Sequence, residues 1–288
     1  MDPVALFTAG GLMLGLGLIL SSVLAAANKK LHVFEDPRID QVEEMLPGAN
    51  CGACGEAGCR AFAEALVAGR VSPAQCPANE PQNIEAIAHL LGIDAGAQHK
   101  RVARLACAGG NNVAASSATY RGVATCRAAT LIGGGGKSCA WGCLGFGDCM
   151  AVCPFDAIVM NRNALPIVDE DKCTACGACV DACPKNLFSL HPVDHRLWVA
   201  CKNELRGAEV RRACAVACIG CGLCAKDAAE GLIAIENSLA RIDYDKNELA
   251  SLEAIQRCPT GAIVWLDKEK GPILGEKAIG ALAERKAG

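Results

Sequence analysis

Cys173-Thr174-Ala175-Cys176-Gly177-Ala178-Cys179-Val180-Asp181-Ala182-Cys183-Pro184 is the stretch on which the reading of this chain turns. Three thiols, each two residues apart, share one tight loop and converge on a common centre. A fourth follows and is closed by proline, whose missing N–H and fixed φ turn the backbone away. Such spacing wraps cubane iron–sulfur clusters. It recurs in looser form as Cys51-x2-Cys54-x4-Cys59-x16-Cys76-Pro77, as Cys139-x3-Cys143-x5-Cys149-x3-Cys153-Pro154, and as Cys218-x2-Cys221-x2-Cys224 with a distant Cys258-Pro259. The chain has 288 residues, of which 20 are cysteine. Disulfides fit poorly, because disulfide-dense scaffolds are usually small secreted domains and this length suits two or three domains. Zinc ribbons use cysteine pairs, whereas the triplets at 173/176/179 and 218/221/224 need a remote fourth thiol. The expected cofactors are therefore 4Fe-4S clusters, and the expected chemistry is the carrying of electrons.

In two-cluster ferredoxins the fourth cysteine of each run serves the other cluster. That rule predicts one ligand set of Cys139, Cys143, Cys149 and Cys183, and another of Cys153, Cys173, Cys176 and Cys179. The earlier run predicts a self-contained set of Cys51, Cys54, Cys59 and Cys76. Gly142, Gly145 and Gly147 widen the unusual loop before Cys149, since glycine tolerates positive φ.

A duplication shapes the rest of the chain. Ala106-Cys107, Arg121-Gly122 and Cys126 lead into the first ferredoxin-like run, and Ala200-Cys201, Arg206-Gly207 and Cys214 lead into the second. Val168-Asp169-Glu170-Asp171-Lys172-Cys173 matches Ile242-Asp243-Tyr244-Asp245-Lys246-Asn247, with Asn in place of Cys. Ala250 and Glu253 replace the next two thiols and Ala228 the fourth, so the second unit lacks one whole ligand set. Its retained set is Cys218, Cys221, Cys224 and Cys258. Cys107, Cys126, Cys201 and Cys214 remain at matching places in the repeats. A fifth cubane bridging the repeats is the working expectation for them, with a two-iron cluster or buried free thiols as the alternatives.

The expected fold class is α+β: a transmembrane helix, a small four-cysteine module and duplicated ferredoxin-like units. The expected boundaries are 1–28 for the anchor, 29–41 for a linker, 42–95 for the module, 96–195 for the two-cluster unit, 196–270 for the degenerate unit and 271–288 for a tail. Val4 to Ala27 carries no charge, and a helix of that length spans a bilayer core of roughly 30 Å. Ala25-Ala26-Ala27 resembles a signal-peptide cleavage site, but signal peptides carry positive charge first. Here Asp2 precedes the apolar run, and Lys29 and Lys30 follow it. A retained anchor is expected, with its C-terminal side in the cytoplasm by the positive-inside rule. Gly11-x3-Gly15, with Gly17, is either a packing face for another membrane helix or ordinary glycine tolerance. Within the module, Ala61–Val67 and Ile84–Leu91 read as helices, and a cluster is expected to tie together so small a core.

Several functions are set aside. Gly133-Gly134-Gly135-Gly136-Lys137-Ser138 ends like a phosphate-binding loop, but Leu131 stands where that motif needs glycine, and no helix follows before Cys139. A flexible approach to the cysteine loop is the better reading. No G-x-G-x-x-G follows a strand, so neither NAD nor flavin is expected in this chain. His191 and His195 read as solvent-facing loop residues. A net charge of −3 gives nucleic acid no electrostatic footprint. The apolar segment has no ionisable residue for an ion path.

The order of an N-terminal anchor, the C-x2-C-x4-C-x16-C-P module, Tyr120-Arg121-Gly122, Cys126-Arg127-Ala128-Ala129, the Ser138 to Cys149 loop and Cys153-Pro154-Phe155-Asp156-Ala157-Ile158 closely resembles the B subunit of the Rnf complex. That complex, also called Rsx, is an ion-translocating ferredoxin:NAD oxidoreductase, and the resemblance covers nearly the whole chain. It implies an electron-transfer subunit of a translocase, anchored by one pass in a bacterial or archaeal cytoplasmic membrane, with its clusters on the cytoplasmic side. Soluble ferredoxin, the other subunits and the lipid bilayer are the implied partners. Other subunits would carry the flavins, bind NAD and move Na+ or H+. An iron–sulfur redox sensor and the electron-input subunit of another oxidoreductase are the competing readings.

Overall fold

A computed structural model describes residues 3–31 and 35–278. Helix α1 (Pro3–Leu31) is apolar on all sides and carries Lys29 and Lys30 in its last turn. Among the described residues it is the one helix long and apolar enough to cross a membrane, and it is not buried against the rest of the chain. The hydroxyls of Ser21 and Ser22 donate back to the Leu18 carbonyl, which satisfies them within the helix, as an apolar medium requires.

Helix α2 (Pro37–Glu44) starts inside the expected linker. Asp36 caps it by accepting from Arg38 N, and Pro37 occupies the first turn, where its missing N–H costs nothing. It packs on α3 (Cys59–Val67), whose Arg60 pairs with Glu35, Asp40 and Glu43. Helix α4 (Pro81–Leu91) ends at Gly92 in the left-handed conformation. Val42, Phe62, Leu66 and Ile87 form the core with the thiols of Cys59 and Cys76.

Two units of like topology follow. In the first, β1 (Arg101–Leu105) pairs antiparallel with β4 (Phe188–Pro192). Between them lie α5 (Cys126–Leu131), α6 (Asp148–Ala151), the hairpin of β2 (Ile158–Met160) and β3 (Pro166–Val168), and α7 (Ala178–Ala182). In the second, β5 (Leu197–Val199) pairs with β8 (Ile263–Asp267). They enclose α8 (Gly207–Ala213), α9 (Leu223–Asp227), the hairpin of β6 (Ile233–Glu236) and β7 (Leu239–Ile242), and α10 (Glu253–Gln256). Strand β9 (Gly271–Ile273) extends the β8 edge, so this sheet runs past the expected boundary at 270. The repeat shows in single hydrogen bonds. Asp169 N donates to Ala157 O at 2.8 Å, and Asp243 N to Leu232 O at 2.9 Å. Ala106 N donates to Leu187 O, and Ala200 N to Ala262 O, each at 2.8 Å.

This equivalence shows what fills the place where the second unit lacks four thiols. Ala103 pairs with Leu190 in the first unit, and Leu197 pairs with Trp265 in the second. Leu232 likewise stands at the counterpart of Ala157. Leu197 and Leu232 are fully buried, in a core with Ala228, Ala250 and Ala254. Small residues that leave a cavity in one unit are thus replaced by large ones that close it in the other, as close packing demands.

An aromatic cluster joins the units. His195 stacks on Tyr244 with ring centroids 4.3 Å apart, and His191 meets Trp198 edge-on at 4.9 Å. Trp198 Nε1 donates to Leu105 O at 2.9 Å, and Tyr244 Oη to Leu197 O at 3.1 Å. The solvent-facing expectation for these histidines fails, because sequence alone did not place them beside two rings. Burial, reinforced by the charge of His195, pulls His191 down to about 4. Leu197→Ala should cost the second unit about 2–5 kcal/mol, as expected for a large-to-small change at a buried site, measurable as a lower denaturant midpoint.

Candidate metal-cluster sites

All twenty cysteines are free thiols. Sixteen of them line four cavities with mostly apolar walls, four thiols to each, and the remaining four lie in the N-terminal module. Among the described residues no three Cys, His, Asp or Glu side chains form a group that could hold a metal ion. The sulfurs are instead spread around cavity walls.

In site I, the N-terminal module, Cys51 and Cys54 lie near Cys76, where their charges add to burial in raising its pKa. Cys59 joins Cys76 in the core. Asn50 Oδ1 accepts from Cys59 N at 2.8 Å, and Gln75 Nε2 donates to Cys54 O at 2.8 Å, which ties the loop to the helix. Site II holds Cys153, Cys173, Cys176 and Cys179 around ≈ 310 Å³ of open space. Site V holds Cys218, Cys221, Cys224 and Cys258 around ≈ 350 Å³. In these three the structure brings together the thiols that the spacing grouped.

Two thiols are placed differently from the expectation. Cys126 lines site III with Cys143, Cys149 and Cys183 around ≈ 370 Å³. Cys139 lines site IV with Cys107, Cys201 and Cys214 around ≈ 330 Å³. The reason lies in the register of the repeat. Gly145 and Gly147 have φ of 79° and 81°, and Gly220 and Gly222 have φ of 62° and 73°. A Cβ on Gly145 would lie 2.7 Å from Ala164 Cβ, and one on Gly220 would lie 2.7 Å from Ser238 O. Both loops therefore need glycine against the hairpin turn. Aligned on these glycines, Cys143 matches Cys218, Cys149 matches Cys224, and Cys139 matches Cys214. Phe146 falls where the second unit has Cys221. Its ring turns away to meet Tyr120 edge-on at 5.5 Å. Cys126, at the start of α5, supplies the missing thiol. Asp148 holds it there, accepting from Cys126 N at 2.9 Å and from Arg127 N at 3.1 Å.

The walls suit thiolates and sulfide. Backbone N–H groups of Ala103, Ala157 and Leu187 donate to the sulfurs of Cys173, Cys153 and Cys183, each at 3.4 Å. Thr174 Oγ1, on the wall of site II, is buried without a hydrogen-bond partner in the protein. A bound sulfide would give it one. Burial pushes Cys143, Cys149, Cys179 and Cys224 up to about 12, so these thiolates need a bound cation to form at neutral pH. Four thiols, apolar walls and donors aimed at sulfur fit an iron–sulfur cubane.

Residues 46–78 match the family described as "Putative Fe-S cluster", and residues 166–188 match the "4Fe-4S binding domain". Fold and sites together define an iron–sulfur protein with ferredoxin-type units. The chain is 43% identical to the B subunit of the Na(+)-translocating ferredoxin:NAD(+) oxidoreductase complex of Acetobacterium woodii, over 91% of this chain and 76% of the relative. It is 43% identical to the B subunit of the proton-translocating ferredoxin:NAD(+) oxidoreductase complex of Clostridium ljungdahlii, over 86% and 88%. It is 34% identical to the B subunit of the ion-translocating oxidoreductase complex of Methanosarcina acetivorans, over 86% and 94%. The chain belongs to the family of B subunits of ion-translocating ferredoxin:NAD(+) oxidoreductase complexes.

The exchange of Cys126 for a thiol at position 146 yields a rescue test. Cys126→Ser should remove one low-temperature EPR signal and about four irons per chain. Adding Phe146→Cys on that background should restore both, because it rebuilds the spacing of site V.

Proposed function

We propose that this chain takes electrons from a reduced soluble ferredoxin and passes them to the other subunits of an ion-translocating complex, toward NAD. The observation that carries this reading is the gathering of sixteen thiols, four to each, around four mostly apolar cavities, with four more thiols in the N-terminal module. Cys51, Cys54, Cys59 and Cys76 hold one 4Fe-4S cluster. Cys153, Cys173, Cys176 and Cys179 hold a second, Cys126, Cys143, Cys149 and Cys183 a third, and Cys218, Cys221, Cys224 and Cys258 a fourth. A cluster bound this way supplies redox chemistry at a potential tuned by hydrogen bonds to sulfur and by exposure. The sites follow one another closely. Cys149 of site III and Cys179 of site II share one buried cluster, with Cys153, Cys173 and Cys183 packed against it. Cys51 of site I is near enough to Cys176 of site II for its charge to help raise that thiol.

The two ends of this row differ. Site I is tied to the membrane helix, since Leu31 to Pro37 spans at most about 20 Å of extended chain and Arg60 grips Glu35. Site V lies at the other end, and Cys221 is its exposed thiol. Electrons come in from the soluble donor at site V and leave at site I for membrane-bound partners. Helix α1 is a single-pass anchor in the cytoplasmic membrane, and Lys29 and Lys30 keep the sites on the cytoplasmic side.

Anaerobically reconstituted protein mixed with reduced ferredoxin in a stopped-flow instrument should lose visible absorbance, and NADH alone should not bleach it. No response to ferredoxin, or an equal response to NADH, would refute the proposal. Removing residues 3–31 should move the protein from the membrane to the soluble fraction. An unchanged partition would sink the anchor.

A further inference from the structure

We propose that Cys107, Cys139, Cys201 and Cys214 hold a fifth 4Fe-4S cluster, seated between the two ferredoxin-like units as the bridge from site III to site V. This rests on the reading of the other sites as cluster sites. The quartet is built by the repeat itself. Cys139 and Cys214 are counterparts in the glycine-anchored register. Cys107 and Cys201 are counterparts at the ends of β1 and β5, where Ala108 N donates to Ala200 O at 2.9 Å. Each unit therefore contributes two thiols from equivalent positions. Neither unit closes the site alone.

The walls repeat the symmetry, with Trp141 and Gly142 facing Val216 and Ala217 around the cavity. Its ≈ 330 Å³ lies within the ≈ 310 to ≈ 370 Å³ of the other three cavities, so it has room for the same group. Glycine keeps the space open: a Cβ on Gly109 would lie 3.1 Å from Cys214 Sγ and 3.7 Å from Cys107 Sγ.

Polar groups around the quartet are donors. Asn203 Nδ2 donates to Cys139 Sγ at 3.5 Å, and Asn203 N to Cys201 Sγ at 3.4 Å. Lys137 also lines the cavity. Its ammonium is fixed by the carbonyls of Gly109 and Cys143, which holds a positive charge at the cavity wall. The glycine-rich approach to the cysteine loop is a strap held by backbone hydrogen bonds, with Gly135 N donating to Ile132 O at 3.1 Å. Gly136 O accepts from Ser117 N at 2.7 Å, and the strap delivers Lys137 to the thiols.

Contacts on both sides make this site a bridge. Cys143 N, from a residue of site III, donates to Cys107 Sγ at 3.4 Å. Cys201 packs against the buried cluster that holds Cys218, Cys224 and Cys258 of site V.

Iron and sulfide analysis with EPR on anaerobically reconstituted full-length protein tests the proposal. About 20 irons and about 20 sulfides per chain are expected for five cubanes. Cys201→Ser should lower both to about 16 and remove one EPR signal, different from the one that Cys126→Ser removes. Gly109→Val keeps every thiol but places a side chain in the cavity, and should lose the same signal as Cys201→Ser even where the serine variant fails to fold. About 16 irons unchanged by either substitution would overturn the fifth site and leave the other four standing. About 18 irons, with two lost in Cys201→Ser, would replace the cubane by a two-iron centre. No iron at all would overturn this site together with the reading on which it rests.

Discussion

Four thiols around a small apolar cavity are the constraint on which the rest of this structure depends. Helices α6, α7, α9 and α10 have four or five residues each, too few to persist without tertiary support. The buried clusters of side chains include cysteines: Cys149 and Cys179 in the first unit, Cys218, Cys224 and Cys258 in the second. A cavity among them forfeits packing contacts until something fills it. Filling it with a cubane makes cofactor binding part of folding free energy, and so explains how such short elements hold a defined shape.

Where its second thiol set is absent, the second unit meets the same constraint with side chains. Leu197, Leu232 and Trp265 occupy what Ala103, Ala157 and Leu190 leave open in the first unit. Loss of the four thiols and gain of bulk belong together, because an empty cavity and an oversized side chain would each be destabilising. The first unit shows a third solution. Phe146 stands at the counterpart of Cys221 and packs on Tyr120, and Cys126 enters the cavity from a separate helix held by Asp148. One framework thus tolerates filling, retention and substitution of a site, provided that the space and the thiol count agree.

Much of this was legible in the residues. The triplets at 173/176/179 and 218/221/224, and the prolines after Cys76, Cys183 and Cys258, follow from local loop geometry that sequence spacing records directly. The charge-free run from Val4 to Ala27 and the absence of cysteine at 228, 247, 250 and 253 are equally plain. The exchange of Cys126 and Cys139 was not. It could have been found by aligning Gly145 and Gly147 with Gly220 and Gly222, which places Phe146 on Cys221 and Cys139 on Cys214. Aligning on the preceding Arg-Gly pairs instead puts Cys126 on Arg211, three residues short of Cys214, and hides that register, because the first unit carries extra residues between β1 and its cysteine loop.

By itself the sequence determined that the chain has a membrane-length helix, a four-cysteine module and a duplicated set of cysteine runs, because each of these is encoded by residues close together in the chain. Tertiary structure decided how Cys126 and Cys139 are divided between two cavities. Cys126 reaches site III from a separate helix, and Cys139 joins Cys107, Cys201 and Cys214 across the junction of two units. Such partnerships depend on how β1, β5 and the glycine-turned loops pack, and no spacing within one run records a distance between two folded units.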